Sequence, residues 1–243
     1  MAAVIPAPWR RWLPWALGVL GVLAALGLQT QLYSGQVRTV ATIFMFVALA
    51  LSWNLIGGYT GYASFGQVVF FGLGGYFAAV TMTHLHWSFW LALPLAGLAA
   101  AAYAALIGVP LLRLRGHYFA IATLGVAEGT REIVINLDGL TGGGGGITVP
   151  TVGAAAATKY LGNDGFYLVY LVLAVLALLV TGLVSRSKFG FAMRAIHQDE
   201  DAAAAVGINT TRTKVLTYAL SGLLTGLVGA TYAFQQEIGR AHV

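Results

Sequence analysis

Apolar and polar positions divide the chain into long greasy runs separated by short polar or charged breaks. A helix crossing the hydrocarbon core needs ~20 mainly apolar residues. Six stretches qualify: 12–30, 39–57, 66–83, 89–112, 165–184 and 215–235. Arg113 and Arg115 close the fourth, Arg186 and Lys188 close the fifth, and Arg212 and Lys214 open the last. Basic residues gather on cytoplasmic loops. With Arg10 and Arg11 inside, both the Arg113/Arg115 turn and segment 185–214 belong in the cytoplasm, yet only one clear run, 165–184, separates them. Parity demands another crossing. The stretch 117–137 supplies it, although its uninterrupted apolar part, Tyr118 to Ala127, is short. The pattern predicts an all-α polytopic membrane protein with about seven transmembrane helices and a cytoplasmic N terminus. Trp9, Trp12 and Trp15 suit the membrane interface, so the first run reads as an uncleaved helix rather than a signal peptide.

Composition agrees. Of 243 residues, 58% are hydrophobic and 9% charged, against about 25% charged in soluble domains. Mean hydropathy is +0.80. The formal charge of +5 follows from cytoplasmic loops, and no aromatic-basic interleaving points to nucleic acid. Cysteine is absent, which excludes disulfides and thiol chemistry. The five histidines form no HxxxH pair, and no GxxxxGK[ST] stretch is present. No metal, cofactor or catalytic residue is therefore expected, and any ATP would be bound by another subunit.

Three polar features interrupt the greasy background. Glu128, Arg131 and Glu132 share one helical face by their spacing. Ionisable groups at membrane depth normally face a cavity or bundle interior, so Glu128 is a candidate for a translocation pathway; a helix end in the headgroup zone is the other reading. The stretch 52–80 is crowded with glycine and carries Asn54, Tyr59, Thr60, Ser64 and Gln67. Small residues permit close helix packing, and interrupted helices point to transport sites. Those five polar residues are also candidate pathway residues, with a short turn between packed helices as the alternative. Gly222 and Gly226 form a packing GxxxG. Residues 138–164, with five consecutive glycines, read as a polar outer loop. A hydrolase built on Ser64 with His84, His86 or His117 is the rival enzymatic reading, though "GYASFG" departs from G-x-S-x-G.

The most charged segment is 185–214. Asp199 is a candidate N-cap, Glu200 and Asp201 suit the first turn, Ala202 to Ala205 favour helix, and Gly207 suits the C′ stop. These predict a bounded cytoplasmic helix over 200–206. Gly190 is expected to open a second short helix upstream, through Phe191, Arg194 and His197. A helix held beneath a membrane bundle could fit a groove on a soluble partner; an ordinary solvated loop is the alternative.

"DAAAAVG", 201–207, resembles the EAA-x-x-x-G loop of ABC-importer permeases, with Asp201 in the Glu position. Together with "NLIGGYTGYASFGQVVFFGLGGYFAA", "LRLRGHYFAIATLGVAE" and "LTGGGGGI" in matching order, residues 40–235 resemble the branched-chain amino acid permease family, M-type. The resemblance implies an ABC-importer permease helix bundle that pairs with a second permease subunit as a heterodimer. It also implies two ABC ATPase subunits, a periplasmic substrate-binding protein and a bacterial inner-membrane location. Coupling to the ATPase would fall to Glu200, Asp201, Ala202, Ala203 and Gly207. Branched-chain amino acids are the implied substrate; urea or short-chain amides are an alternative, and a secondary transporter or channel is the alternative of another class. Gln67 stands where the family usually has His. The permease domain is read as 1–236, incomplete at its C terminus, and the ending 237–243 as a non-native tail.

Overall fold

In the computed structural model the described residues are 13–147 and 161–240, and every regular element among them is helical. The long helices are α1 (Leu13–Gln29), α2 (Ser34–Asn54), α3 (Gln67–His84), α4 (Phe89–Leu111) and α5 (His117–Asn136). After the short α6 (Asp138–Thr141) come α7 (Asn163–Arg186), α8 (Lys188–Gln198), α9 (Glu200–Ala205) and α10 (Thr210–Arg240). Four segments are long and apolar enough to cross a membrane: Ser34–Tyr59, Phe89–Leu111, Asn163–Arg186 and Thr210–Gln236. The helices α1, α3 and α5, of 17, 18 and 20 residues, lie outside that group. The expected crossing at 117–137 is thus a helix, but a polar one. Arg10, Arg11, Trp9 and Trp12 lie outside the described residues, as do 148–160 of the expected outer loop and 241–243 of the expected tail. The side chains of Trp15 and of 237–240 are likewise outside them.

The bundle is organised around α10, which packs mainly on α4 and α3, while α2 pairs with α7. Small residues set these distances. A Cβ on Gly222 would stand 2.7 Å from the Ala104 methyl, and one on Gly226 would stand 2.5 Å from that of Ala100, both on α4. A Cβ on Gly229 would strike the Phe71 carbonyl of α3. The expected GxxxG packing is therefore real and extends a further turn. Lipid gives helices no hydrophobic reason to associate, so close backbone approach supplies dispersion contacts instead. Gln67 adds a polar tie: its amide donates to Ser221 Oγ at 2.5 Å, and Ser221 donates to the Ser52 carbonyl at 2.6 Å, joining α3, α10 and α2. At one end Tyr167 of α7 donates to the Ala25 carbonyl at 2.6 Å, holding α1.

The first part of the region expected as a polar outer loop folds further than its glycines suggested. Asp138–Thr141 makes one helical turn, which ends at Gly142 with φ +69°, and Gly143–Gly145 forms a 3₁₀ turn. Gly142, Gly143 and Gly146 all have positive φ, a conformation costly for residues with a Cβ. The same glycines that exclude a long helix permit this tight one.

Candidate functional site

The charged segment after α7 builds two helices at a sharp corner. Ser187 caps α8, its hydroxyl accepting from Gly190 N at 3.2 Å. Ser187, and not Gly190, opens this helix; Gly190 sits in its first turn because a Cβ there would collide with the Val184 carbonyl. One residue separates α8 from α9. Asp199 caps α9, its Oδ1 accepting from Asp201 N at 2.9 Å and Ala202 N at 3.0 Å. At the other end Gly207, with φ +89°, donates to the Ala204 carbonyl at 3.0 Å, and Ile208 N donates to Ala203 at 3.1 Å. That pair of bonds is a Schellman stop. The helix ends at Ala205, one residue before the expected limit, with Val206 as its cap. Asn209 then starts α10 by accepting from Arg212 N at 2.9 Å.

The short helix is clamped rather than free. Ala203 is buried, and Glu200 is mostly covered. The Lys214 ammonium, 4% exposed, donates to Glu200 Oε1 at 2.7 Å, to the Leu112 carbonyl at 2.6 Å and to Tyr62 OH at 3.0 Å. All three of its donors are used. The same ammonium lies 4.6 Å from the centre of the Tyr62 ring. Tyr62 OH in turn donates to Glu200 Oε2. Arg115 reaches Asp201 with a two-pronged contact, 2.9 and 2.8 Å, and stands 3.9 Å from Glu200. One helical turn is thereby tied to the start of α10, to the α4–α5 turn and to the connector before α3.

The electrostatics follow from that geometry. Burial pushes the Glu200 carboxyl up, but hydrogen bonds from Lys214 and Tyr62 and the charges of Lys214 and Arg115 outweigh it and hold the group below the usual carboxylate range. The Arg115 hydrogen bond and charge lower Asp201 likewise, and Asp201 in return raises Arg115. Burial first, then the bond to Glu200, raises the Tyr62 phenol. Asp201, Ala202, Ala204, Ala205 and Val206 face outward, Val206 at 79% exposure. Phe191 on α8 is also exposed, with the Arg194 guanidinium 4.7 Å from its ring centre.

Five of the six expected pathway residues gather at the break between α2 and α3. There α2 passes into a π-helical turn, Leu55–Tyr59. The wide turn accommodates two glycines whose Cβ positions are taken: by the Trp53 ring at Gly57 and by the Asn54 side chain at Gly58. Thr60 donates to the Ile56 carbonyl at 2.6 Å, and Tyr59 packs partly buried against the core. Gly61, at φ +74°, lies against the His197 ring of α8. Trp53 Nε1 donates to the Ser64 carbonyl at 2.8 Å. Ser64 Oγ lies 3.3 Å from Tyr218 OH and accepts from Gly66 N at 3.3 Å. No histidine hydrogen-bonds Ser64 among the described residues, and His84 and His86 lie at and just past the far end of α3, so no nucleophile–base pair forms there. Gln67 borders a cavity of about 580 Å³ between α2, α3 and α10, and its Oε1 is buried without a hydrogen-bond partner among the described residues. Glu128 stands apart. It lies on α5 beside a different cavity, paired with Arg131 at 2.8 Å, and Arg131 also contacts Glu132 at 3.3 Å.

Tyr62, Arg115 and Lys214 were missed as site residues by sequence reasoning, which used the two basic ones only as topology markers. The available signal was a lysine just inside a long apolar helix, where an unpaired ammonium is costly and a carboxylate partner is required.

Comparison with known proteins places the chain. A family profile described as "Branched-chain amino acid transport system / permease component" matches residues 35–242. The high-affinity branched-chain amino acid transport system permease protein LivM of Salmonella typhimurium is 33% identical over 225 residues, covering 83% of this chain and 53% of the relative. LivM of Escherichia coli is 33% identical over 221 residues, covering 81% of this chain and 52% of the relative. The chain thus spans about half the length of these curated relatives. No solved structure matches it.

Proposed function

The chain belongs to the family of branched-chain amino acid transport system permease components, and from that premise we propose that it is the membrane-spanning permease subunit of an ABC importer. It carries branched-chain amino acids inward across the bacterial inner membrane, with ATP hydrolysed by separate subunits. Its partners are a second permease subunit, two ABC ATPases and a periplasmic binding protein. Seven helices, α1 to α5, α7 and α10, cross the bilayer with the N terminus inside.

The observation that carries this reading is the capped α9 held by the Lys214–Glu200 contact. Its outward residues, Ala202, Ala204, Ala205 and Val206, offer a small apolar knob to a soluble partner. Its inward residues connect that knob to the bundle. Displacing α9 draws Lys214 and α10, the Arg115 turn between α4 and α5, and Tyr62 beside the break between α2 and α3. In this mechanism Glu200, Asp201 and Ala203 transmit the force, Ala202 meets the ATPase, and Gly207 fixes where the helix stops. The break at Asn54, Tyr59, Thr60, Ser64 and Gln67 is the part of the pathway that moves. Directional transport requires that ATP and substrate each bind the two states of the bundle with different affinity.

None of these 243 residues is cysteine, so a thiol introduced at α9 is the sole one in this stretch of chain. A Val206→Cys variant of the full-length protein, assembled with partners carrying single cysteines on the ATPase groove, is expected to form an ATPase cross-link that blocks ATP-dependent L-leucine uptake in proteoliposomes. Uptake that needs no ATPase, or a cross-linked complex that transports normally, would refute the assignment.

A further inference from the structure

We infer that the cavity between α3 and α5 is a binding site for an aliphatic amino-acid zwitterion within the permease itself. The inference rests on the permease reading above and gives that reading a substrate contact point. The cavity holds about 370 Å³, inside the ~300–1,000 Å³ range of small-molecule sites. Its two ends differ in chemistry. Val69 and Leu73 of α3 with Val134 and Ile135 of α5 form an apolar wall. Glu128 and Arg131 form a polar edge. A carboxylate and a guanidinium side by side above an apolar wall are what an amino acid with a branched hydrocarbon side chain requires: one group for each charged end, and a dry surface for the rest.

The edge has unused capacity. Arg131 Nη1 is shared between Glu128 at 2.8 Å and Glu132 at 3.3 Å, while Nη2 and Nε have no acceptor among the described residues. Two carboxylates face one guanidinium, so Glu128 can turn to an ammonium while Glu132 continues to hold Arg131. The free fork of Arg131 then takes a carboxylate in two-pronged geometry. These side chains are 66%, 61% and 57% exposed on this chain. They lie about three to four helical turns from the start of α5, roughly 16–22 Å by helix rise. Charged groups at that depth need water, protein or a ligand beside them, not lipid.

The facing helix supports the same conclusion. Gly72 of α3 borders this cavity and the neighbouring one of about 280 Å³. Nothing lies within 4 Å of the place its Cβ would occupy. A glycine inside a helix weakens it, and no neighbour here demands the missing methyl, unlike at Gly222 or Gly226. Its effect is to keep the cavity open. Gly143 and Gly144 close the outer side, and the Tyr76 ring stands between the two cavities.

The test uses the full-length protein assembled with its partner subunits in nanodiscs. Tritiated L-leucine binding is measured without the binding protein, and uptake is measured with it. Glu128→Gln, Arg131→Gln and Gly72→Leu are each expected to weaken L-leucine binding at least about tenfold, the scale of one charge-assisted hydrogen bond. Co-purification of the ATPases reports assembly of each variant. The charge swap Glu128→Arg with Arg131→Glu keeps the ion pair but reverses its polarity, and is expected to stay impaired. 4-Methylpentanoate and isopentylamine, each lacking one charge, are expected to compete at least about tenfold less well than L-leucine. Wild-type binding and uptake in all three single variants, or full recovery in the swap, would overturn the site. Equal competition by all three compounds would assign the cavity to a hydrocarbon chain only and overturn the zwitterion reading. A wild-type complex that takes up no L-leucine would overturn the substrate reading of the whole permease, and this inference with it.

Discussion

Two clusters in this protein use nearly the same residue types and behave oppositely. At the α9 corner, Glu200 and Asp201 meet Lys214 and Arg115. On α5, Glu128 and Glu132 meet Arg131. The first draws its cations from other elements, and Lys214 is 4% exposed. The second lies within two turns of one helix and is open along its length. A buried ammonium with three hydrogen bonds cannot release one partner cheaply, whereas an exposed local pair can exchange partners at little cost. The difference suits the first cluster to the force transmission proposed for it and the second to the ligand contact inferred for it.

The largest expected effect breaks the first cluster. Lys214→Met leaves Glu200 Oε1 and the Leu112 carbonyl without their donor, and should destabilise the folded protein by about 3–5 kcal/mol. Thermal unfolding in detergent would report it. The double variant Lys214→Met, Glu200→Gln should lose less than the sum of the two single changes, and strict additivity would mean that the pair does not interact.

Acid sharpens the comparison. The Glu200 and Asp201 carboxyls are held below their usual range. A lowered folded-state pKa contributes stability above the unfolded value and loses it as pH falls through the folded value. The clamp should therefore be complete at neutral pH and weaken only below about pH 4. The stability advantage of the wild type over Glu200→Gln should shrink in that window, which unfolding curves across pH would follow. An advantage that grows on acidification would contradict the assigned ion pair.

Smaller effects concern the ends of α9. Gly207→Ala places a methyl at φ +89° with no neighbour within 4 Å, so backbone strain alone should cost roughly 1–2 kcal/mol. Asp199→Ala removes the N-cap and should cost about 1 kcal/mol. Both should lower ATPase-coupled uptake through misplacement of α9, and cross-linking at Val206 would reveal the shift. The smallest stability effect belongs to the second cluster: Arg131→Gln should change unfolding by less than about 1 kcal/mol. A loss as large as that of Lys214→Met would erase the distinction between the two clusters.

Much of the architecture was legible along the chain. Apolar runs placed α2, α4, α7 and α10 within a few residues, because membrane-length hydrophobicity is a local property. Asp199, the alanines and Gly207 specified α9 to within one residue, because caps and stops act over three or four positions. The opening of α8 was misassigned to Gly190, since a glycine required by close packing looks like one required by a turn. The spacing of Glu128, Arg131 and Glu132 put them on one face of α5, but which cavity that face borders depends on how α5 packs against α3.

By itself the sequence determined a helical membrane protein, the limits of a short capped helix and the spacing that brings Glu128 to Arg131. Each depends on contacts between residues a few positions apart. Only the tertiary structure decided that Tyr62, 138 residues from Glu200, and Arg115, 86 residues from Asp201, would meet at α9. It alone also decided that Lys214 would be sealed among them. Those contacts depend on which connectors the packing of α10 against α3 and α4 brings together, and glycine–alanine approach across whole helices sets that packing.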